Sequence, residues 1–381
     1  MHTYTVIPKS SHFFNIRRIM PNQSDGEFKK KVQRDSATVR QDLGGPSQID
    51  VARLANVSQA AVSRTFTQGA SVSEETRTKV LAAAKELGYR PNIIARSLIQ
   101  KSTNIIGLVV MRFTNPFYAC MIREFTKALQ EQGYWTLILN IAQALELEET
   151  LPMALQYQVD GLIITSATLS SSLAQECVRA GTPVVLVNRY STDTNINIVR
   201  CDSIAGGRIV ADAFLDAGHQ RLAFISGDEA SSTNRDRETG FVERLWERGA
   251  RLTYRESAGD YMYEPGYEAA KRLLLRDDPP DGIFCANDLI AMGALDAART
   301  ELGIMVPEEL SIIGFDDIPM AAWPGYALTT VRQPVDQLVD ATLQVLMDAI
   351  RSQETEPVNK IISTFLVPRT SAKLISGSGS R

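Results

Sequence analysis

The chain has 381 residues, 44% of them hydrophobic, and a formal net charge of −4. That apolar content can fill a sizeable core, and the length suggests two or three domains. Composition argues against three classes: no apolar run approaches the ~20 residues that span a bilayer, the start carries no secretory signal, and four scattered cysteines form no disulfide framework.

The net charge conceals an asymmetry. Residues 1–45 and residues 46–104 each hold eight Lys/Arg against four Asp/Glu, which leaves 24 basic against 36 acidic residues beyond them. A basic front on an acidic body fits an end that meets nucleic acid. Cys120, Cys177, Cys201 and Cys285 point to a reducing compartment, so a soluble cytoplasmic protein is expected. His2, His12 and His219 have no partner at a metal-ligand spacing, and no cofactor or metal is expected.

In chain order, residues 1–45 mix Ser, Asn, Gln and Asp with a Lys29-Lys30-Lys31 run and end in Gly44-Gly45-Pro46, which reads as a poorly ordered basic extension. Residues 46–67 read as two short helices joined by a tight turn. Ser47 and Ser58 suit N-caps, and Asn56 suits a left-handed reversal. Val51, Ala52, Leu54 and Ala55 form the first helix's apolar stripe, and Val62 and Phe66 point inward from the second. Ala60, Ser63, Arg64 and Thr67, with Gln59 beside them, fall on another face. That face is small and polar with one Arg, which suits a DNA major groove where Arg can pair with guanine. A third helix starts at Ser73 and runs through Val80, Leu81, Ala84 and Leu87 to Gly88.

The motifs IDVARLANVS, AVSR, VSEETRTKVLAAAKELGYRPN and ARSL follow in one register without a large gap. Together they resemble the headpiece and hinge of the lactose-repressor (LacI/GalR) family of bacterial transcription regulators. The resemblance implies a helix-turn-helix headpiece at residues 46–91 and a hinge helix at 92–103. Ser47, Ser58, Ala61 and Thr76 then join Gln59, Ala60, Ser63, Arg64 and Thr67 as DNA contacts. In such a family the hinge folds only when two copies meet over the minor groove. Asn92 and Ala95 lie in that contact, and Leu98 stands where a wedge leucine opens a base step. Members usually begin close to their first helix, so residues 1–45 are a departure. Three readings stay open for them: a basic arm that touches phosphate, a linker, or an upstream start codon with Met20 as an internal candidate.

From Ile105 the pattern is α/β. Apolar runs at 105–110, 135–140, 161–165, 183–188, 222–227, 282–287 and 310–315 alternate with amphipathic stretches, as buried parallel strands do. Their number exceeds one comfortable sheet, so residues 104–381 are expected to form two lobes. The resemblance extends here through Asn115-Pro116-Phe117-Tyr118, Gly218-His219, Arg237-Glu238-Thr239-Gly240-Phe241, Ala286-Asn287-Asp288 and Gly314-Phe315-Asp316-Asp317. It implies a periplasmic-binding-protein-like module that closes on a small molecule.

Ligand groups in open α/β sheets sit at strand ends. This places Arg189, Asn287 and Asp316 at the cleft. The resemblance adds Arg237 at an R-x-x-G-F position, Tyr261 as a stacking aromatic, and Phe117 and Tyr118 on the first lobe. Arg237 could instead pair with Glu243, and Asp317 could serve as a helix cap or hinge partner. The chain thus reads as a multi-domain protein: an all-α helix-turn-helix headpiece and an α/β two-lobed effector domain. It is expected to be a homodimeric repressor on double-stranded DNA with a near-palindromic operator, controlled by a sugar or sugar acid. No leucine heptads follow Val367, which speaks against a tetramerisation helix. A periplasmic sugar-binding protein lacks the basic headpiece, and no G-x-S-x-G, Walker loop or metal-ligand pair supports an enzyme.

Overall fold

A computed structural model of the chain describes residues 45–375, apart from 68, 91–101, 112, 142–145, 166–170, 191–195 and 353–355. The expectations for residues 1–44 and for Asn92, Ala95 and Leu98 lie outside the described residues. The chain divides into two compact units, residues 1–96 and 97–381.

The first unit contains three helices: α1 (Gln48–Ala55), α2 (Gln59–Thr65) and α3 (Glu74–Leu87). Each begins where a hydroxyl satisfies backbone N–H groups left open at a helix start. Ser47 Oγ accepts from the Asp50 N–H while the Asp50 carboxylate accepts from the Ser47 N–H at 2.9 Å, closing a capping box. Ser58 and Ser73 cap α2 and α3. The turn between α1 and α2 rests on Asn56, whose φ of 51° and ψ of 50° are left-handed as expected. Val51, Ala52, Ala55, Val62, Val80, Ala83 and Ala84 form the core, with Phe66, Leu87 and Tyr89 packed against it.

Two residues of the expected stripes fall outside that core. Leu54 is 45% exposed and Leu81 47% exposed. At about 100° per residue, each lies about 110° from the centre of its helix's buried stripe, too far round to reach the neighbours.

The second unit holds two six-stranded sheets. The first is ordered β11-β5-β4-β3-β1-β2 and is parallel throughout. Its strands are β1 (Ile105–Met111), β2 (Trp135–Ile141), β3 (Gly161–Thr165), β4 (Val184–Val187), β5 (Asn197–Cys201) and β11 (Asn359–Ile362). The second is ordered β12-β10-β9-β8-β6-β7. It contains β6 (Leu222–Ser226), β7 (Tyr254–Ser257), β8 (Gly282–Cys285), β9 (Ser311–Asp316) and β10 (Thr329–Arg332), with β12 (Phe365–Val367) antiparallel at one edge. β3, β4, β6, β8 and β9 are buried along their whole length. That is the pattern of strands covered by helices on both faces.

All seven anticipated strands are present. The chain passes between lobes three times: from Cys201 to Ser203, from Arg332 to Val335, and from Ile362 to Phe365. The long helix between the second and third crossings, α11 (Val335–Arg351), packs on the first sheet, although β10 before it belongs to the second. Among the described residues no helix is long and apolar enough to cross a membrane.

Candidate DNA-reading face and effector cleft

The outward side of α2 carries Gln59, Ala60 and Arg64 exposed, with Ser63 and Thr67 half-buried beside them. Thr67 Oγ1 donates back to the Ser63 carbonyl at 2.9 Å, and Arg64 Nε donates to the Ala60 carbonyl at 3.4 Å. Arg64 makes no ion pair among the described residues, whereas Arg53 on α1 is held by Asp50 at 3.1 Å. Its guanidinium is thus a cation with open donors on a face of small side chains, the form that fits a guanine edge. Gln59 Nε2 reaches Gln48 Oε1 at 3.5 Å, linking the starts of α1 and α2. Ser47, Ser58 and Thr76 all lie at helix starts, where N–H groups point outward. Ala61 departs from the expectation: its methyl is buried on the side of α2 that also buries Val62 and Thr65, so it belongs to the packed side.

In the second unit one narrow cleft is lined by both lobes. All seven residues expected there line it: Phe117, Tyr118 and Arg189 from the first lobe, and Arg237, Tyr261, Asn287 and Asp316 from the second. Asn115, Asn188, Thr233 and Gln333 complete the wall.

The first-lobe wall starts at α4 (Pro116–Glu131). Asn115 caps it, accepting from the Phe117 N–H at 3.0 Å, and Pro116 at the first helical position needs no N–H partner. The Phe117 and Tyr118 rings meet edge to face at 5.4 Å. Asn188 leaves β4 in a left-handed conformation (φ 57°) and turns Arg189 into the wall.

The second-lobe wall is built around Arg237, in the second turn of α8 (Ser232–Glu247). Arg237 is 4% exposed. Its guanidinium donates to Asp316 Oδ1 at 3.3 Å and to the Ala286 carbonyl, and lies 3.8 Å over the Phe315 ring. It therefore pairs with Asp316 and not with Glu243. Tyr261 donates its hydroxyl to Ser231 Oγ at 2.9 Å, and its ring lies against Gly227, where an added Cβ would stand 2.5 Å from the ring. Asn287 caps α10 (Asp288–Asp296) through Oδ1 and donates Nδ2 to the Tyr261 carbonyl at 3.2 Å. Its side chain thus ties the wall together as well as lining it.

Asp316 sits at the junction. Its φ of 123° is costly for a residue with a Cβ, and such strain persists only where surrounding contacts fix it. Gln333 Nε2 donates to Asp316 Oδ1 at 2.7 Å, and Asn188 Nδ2 donates to Gln333 Oε1 at 2.7 Å. Asn188 Oδ1 accepts from the Cys201 N–H at 2.9 Å. This chain runs from Arg237 through the second interlobe crossing to the start of the first. Burial pushes the Asp316 carboxyl up to about 6, against the pull of Arg237 and then Gln333. Asp288, completely buried, is pushed well above the usual carboxylate range by burial and then by Asp316. It accepts from the Ile318 N–H and the Thr330 hydroxyl. Asp317 pairs with Arg332 and Arg369.

Thr233 and Gln333 were not anticipated. Gln333 follows β10, a Thr-rich strand that the search for apolar runs overlooks, so the strand-end rule had nothing to act on. Among the described residues no group of His, Cys, Asp and Glu gathers as a metal site.

A helix-turn-helix unit with a small-residue face carrying an exposed Arg, joined to a two-lobed unit with a polar cleft, defines a ligand-responsive DNA-binding regulator. The model for bacterial regulatory proteins of the lacI family matches residues 49–92, and the model for a periplasmic binding protein-like domain matches residues 211–372. The HTH-type transcriptional repressor PurR of Photobacterium profundum is 32% identical, over 85% of this chain and 98% of its own. A solved complex of the transcriptional regulator CelR with cellobiose is 31% identical, covering 86% of this chain and 100% of the other, with a TM-score of 0.66. The Lac repressor dimer bound to operator and the anti-inducer ONPF is 26% identical, covering 86% and 99%, with a TM-score of 0.78. The chain belongs to the lacI family, and it is an effector-controlled, DNA-binding transcriptional repressor.

Proposed function

We propose that two copies of the chain pair and present their headpieces to a near-palindromic operator in nucleoid DNA, and that a sugar or sugar acid in the cleft sets operator affinity. Gln59, Ala60, Ser63, Arg64 and Thr67 face base edges. Ser47, Ser58 and Thr76 hold phosphates from helix starts. Residues 92–103 form the hinge, which is too short to be a stable helix alone. It orders against its twin over the minor groove, with Asn92 and Ala95 in the contact and Leu98 as the wedge. The solved relative with cellobiose supports a sugar effector.

The observation that carries this reading is the hydrogen-bonded chain Arg237–Asp316–Gln333–Asn188. Ligand hydroxyls that engage Arg237 and Asp316 compete for the atoms that tie the two interlobe crossings together. Binding therefore alters lobe geometry, a differential contact of the kind allosteric coupling requires. The test is fluorescence anisotropy on an operator chosen from random duplexes, titrated with candidate effectors. A Gln333→Leu variant should still bind operator, while the effector's influence on that binding shrinks to near zero. Unchanged coupling in this variant would remove the chain from the mechanism.

A further inference from the structure

The lobes also meet through a side-chain triad that lies outside the three crossings. Tyr190 follows β4 and Arg200 lies in β5, both in the first lobe, whereas Asp236 lies in α8 of the second. The Tyr190 hydroxyl donates to Asp236 Oδ1 at 2.6 Å, and Arg200 faces Asp236 Oδ2 at 3.5 Å with its guanidinium 4.9 Å over the Tyr190 ring. Arg200 Nε finds no partner among the described residues, which leaves Asp236 as the counter-ion of this guanidinium. Asp236 is 6% exposed, so the contacts sit largely out of solvent, where charge-assisted hydrogen bonds count most. None of the three lines the cleft, yet two of them adjoin residues that do: Tyr190 follows Arg189, and Asp236 precedes Arg237. Neighbours on a helix point about 100° apart, so α8 turns Arg237 into the cleft and Asp236 toward the other lobe. A helix that moves with one moves the other.

We propose that Tyr190, Arg200 and Asp236 form a latch between the lobes, one that belongs to the ligand-free geometry and that an effector must break. This deepens the effector-cleft reading and rests on it. Arg237 and Asp316, the groups that an effector engages, are paired with each other while the latch is closed. The latched lobes are therefore the ones a ligand has to rearrange. A contact made in that geometry alone opposes ligand binding, and removing it does part of the effector's work in the effector's absence. The three residues act by positioning the lobes and not by touching the ligand.

Calorimetry on the full chain with cellobiose, ribose, glucuronate and gluconate would select the tightest ligand, and anisotropy would follow the selected operator and a scrambled duplex. Tyr190→Phe removes one hydroxyl and keeps a ring beneath Arg200, while Asp236→Asn removes the charge that both partners face. Each variant should bind that ligand about threefold to tenfold more tightly than wild type, as loss of a hydrogen bond made in one geometry implies. Each should also shift ligand-free operator affinity by at least about threefold, in the direction in which the ligand shifts wild type. Binding to the scrambled duplex should not change. A merely structural role predicts a lower melting temperature with ligand affinity equal or weaker, and that result would overturn the latch. So would an unchanged operator affinity, or a shift opposed to the ligand's. If no member of the panel binds wild type, the sugar reading falls while the ligand-free titration still decides the latch. A shift of about threefold or more confined to the operator supports it; no shift, or an equal shift on both duplexes, overturns it.

Discussion

Asp316 concentrates the chemistry of the second unit in one side chain, being buried, in a strained backbone conformation, and shared between Arg237 and Gln333. Its raised pKa has a definite consequence for stability. Below about pH 4 the carboxyl is protonated in both folded and unfolded chains, so it contributes no pH dependence. As pH rises from about 4 to about 6 the unfolded chain, with an ordinary carboxyl, releases its proton while the folded chain retains its own. Stability attributable to this group therefore falls across that window and is level above it. Urea melts at pH 4, 5, 6 and 7 should show wild type losing stability relative to Asp316→Asn between pH 4 and 6, with a constant difference thereafter. The same substitution should weaken effector binding about 10- to 100-fold, as loss of a charged acceptor does. Arg237 and Asp316 were legible in the sequence because each follows from a motif or a strand end. Their mutual pairing was not, since they are 79 positions apart and Glu243 lay on Arg237's own helix.

Elements were legible where apolar residues run together. Six of the seven strands marked by apolar runs, β1, β3, β4, β6, β8 and β9, are central in their sheets, and β2 lies at an edge. β5, β7, β10, β11 and β12 were missed because their composition is mixed. Tyr254–Ser257 alternates in exposure at a sheet edge. Among the described residues the buried hydroxyl of Thr330 in β10 is satisfied by distant Asp288. Helix packing left a subtler mark. α8 approaches the helix Ser203–Asp216 so closely that a Cβ on Gly240 would stand 2.0 Å from the Ile204 carbonyl oxygen, and one on Gly207 would stand 2.2 Å from the Arg237 carbonyl oxygen. These glycines let α8 lie where Arg237 can enter the cleft. Gly240→Ala should cost about 1–3 kcal/mol by forcing the helices apart, seen as a melting temperature lower by several degrees. It should also reduce effector affinity, although Gly240 is not among the residues that line the cleft. On α2 the exposed Arg64 and the buried Val62 should separate cleanly. Arg64→Ala should keep the headpiece folded and lose about 1–3 kcal/mol on the preferred operator, with little change on random DNA. Equal loss on every duplex would make Arg64 a phosphate contact.

At the scale of the whole molecule, three crossings join the lobes and one hydrogen-bonded chain binds two of them together. Coupling of ~1–3 kcal/mol between effector and operator is expected, and it must be reciprocal. Operator DNA should thus change effector affinity by the factor by which effector changes operator affinity. Leu98→Ala should reduce operator affinity and DNA bending while leaving effector affinity in DNA-free protein intact. The basic front was visible in the charge distribution alone, because phosphate recognition leaves a signature in composition. The effector's identity leaves none, because it depends on how side chains from distant segments meet in the cleft.

The central claim is that the small helical front reads bases and that the cleft ligand governs how tightly it does so. The direct measurement is an anisotropy titration of the full chain against its selected operator and a scrambled duplex across salt concentrations, with and without the ligand found by calorimetry. Specific binding should exceed scrambled binding by about a thousandfold or more, and the ligand should move only the specific curve. Indistinguishable binding to both duplexes at every salt concentration, with or without ligand, would contradict it.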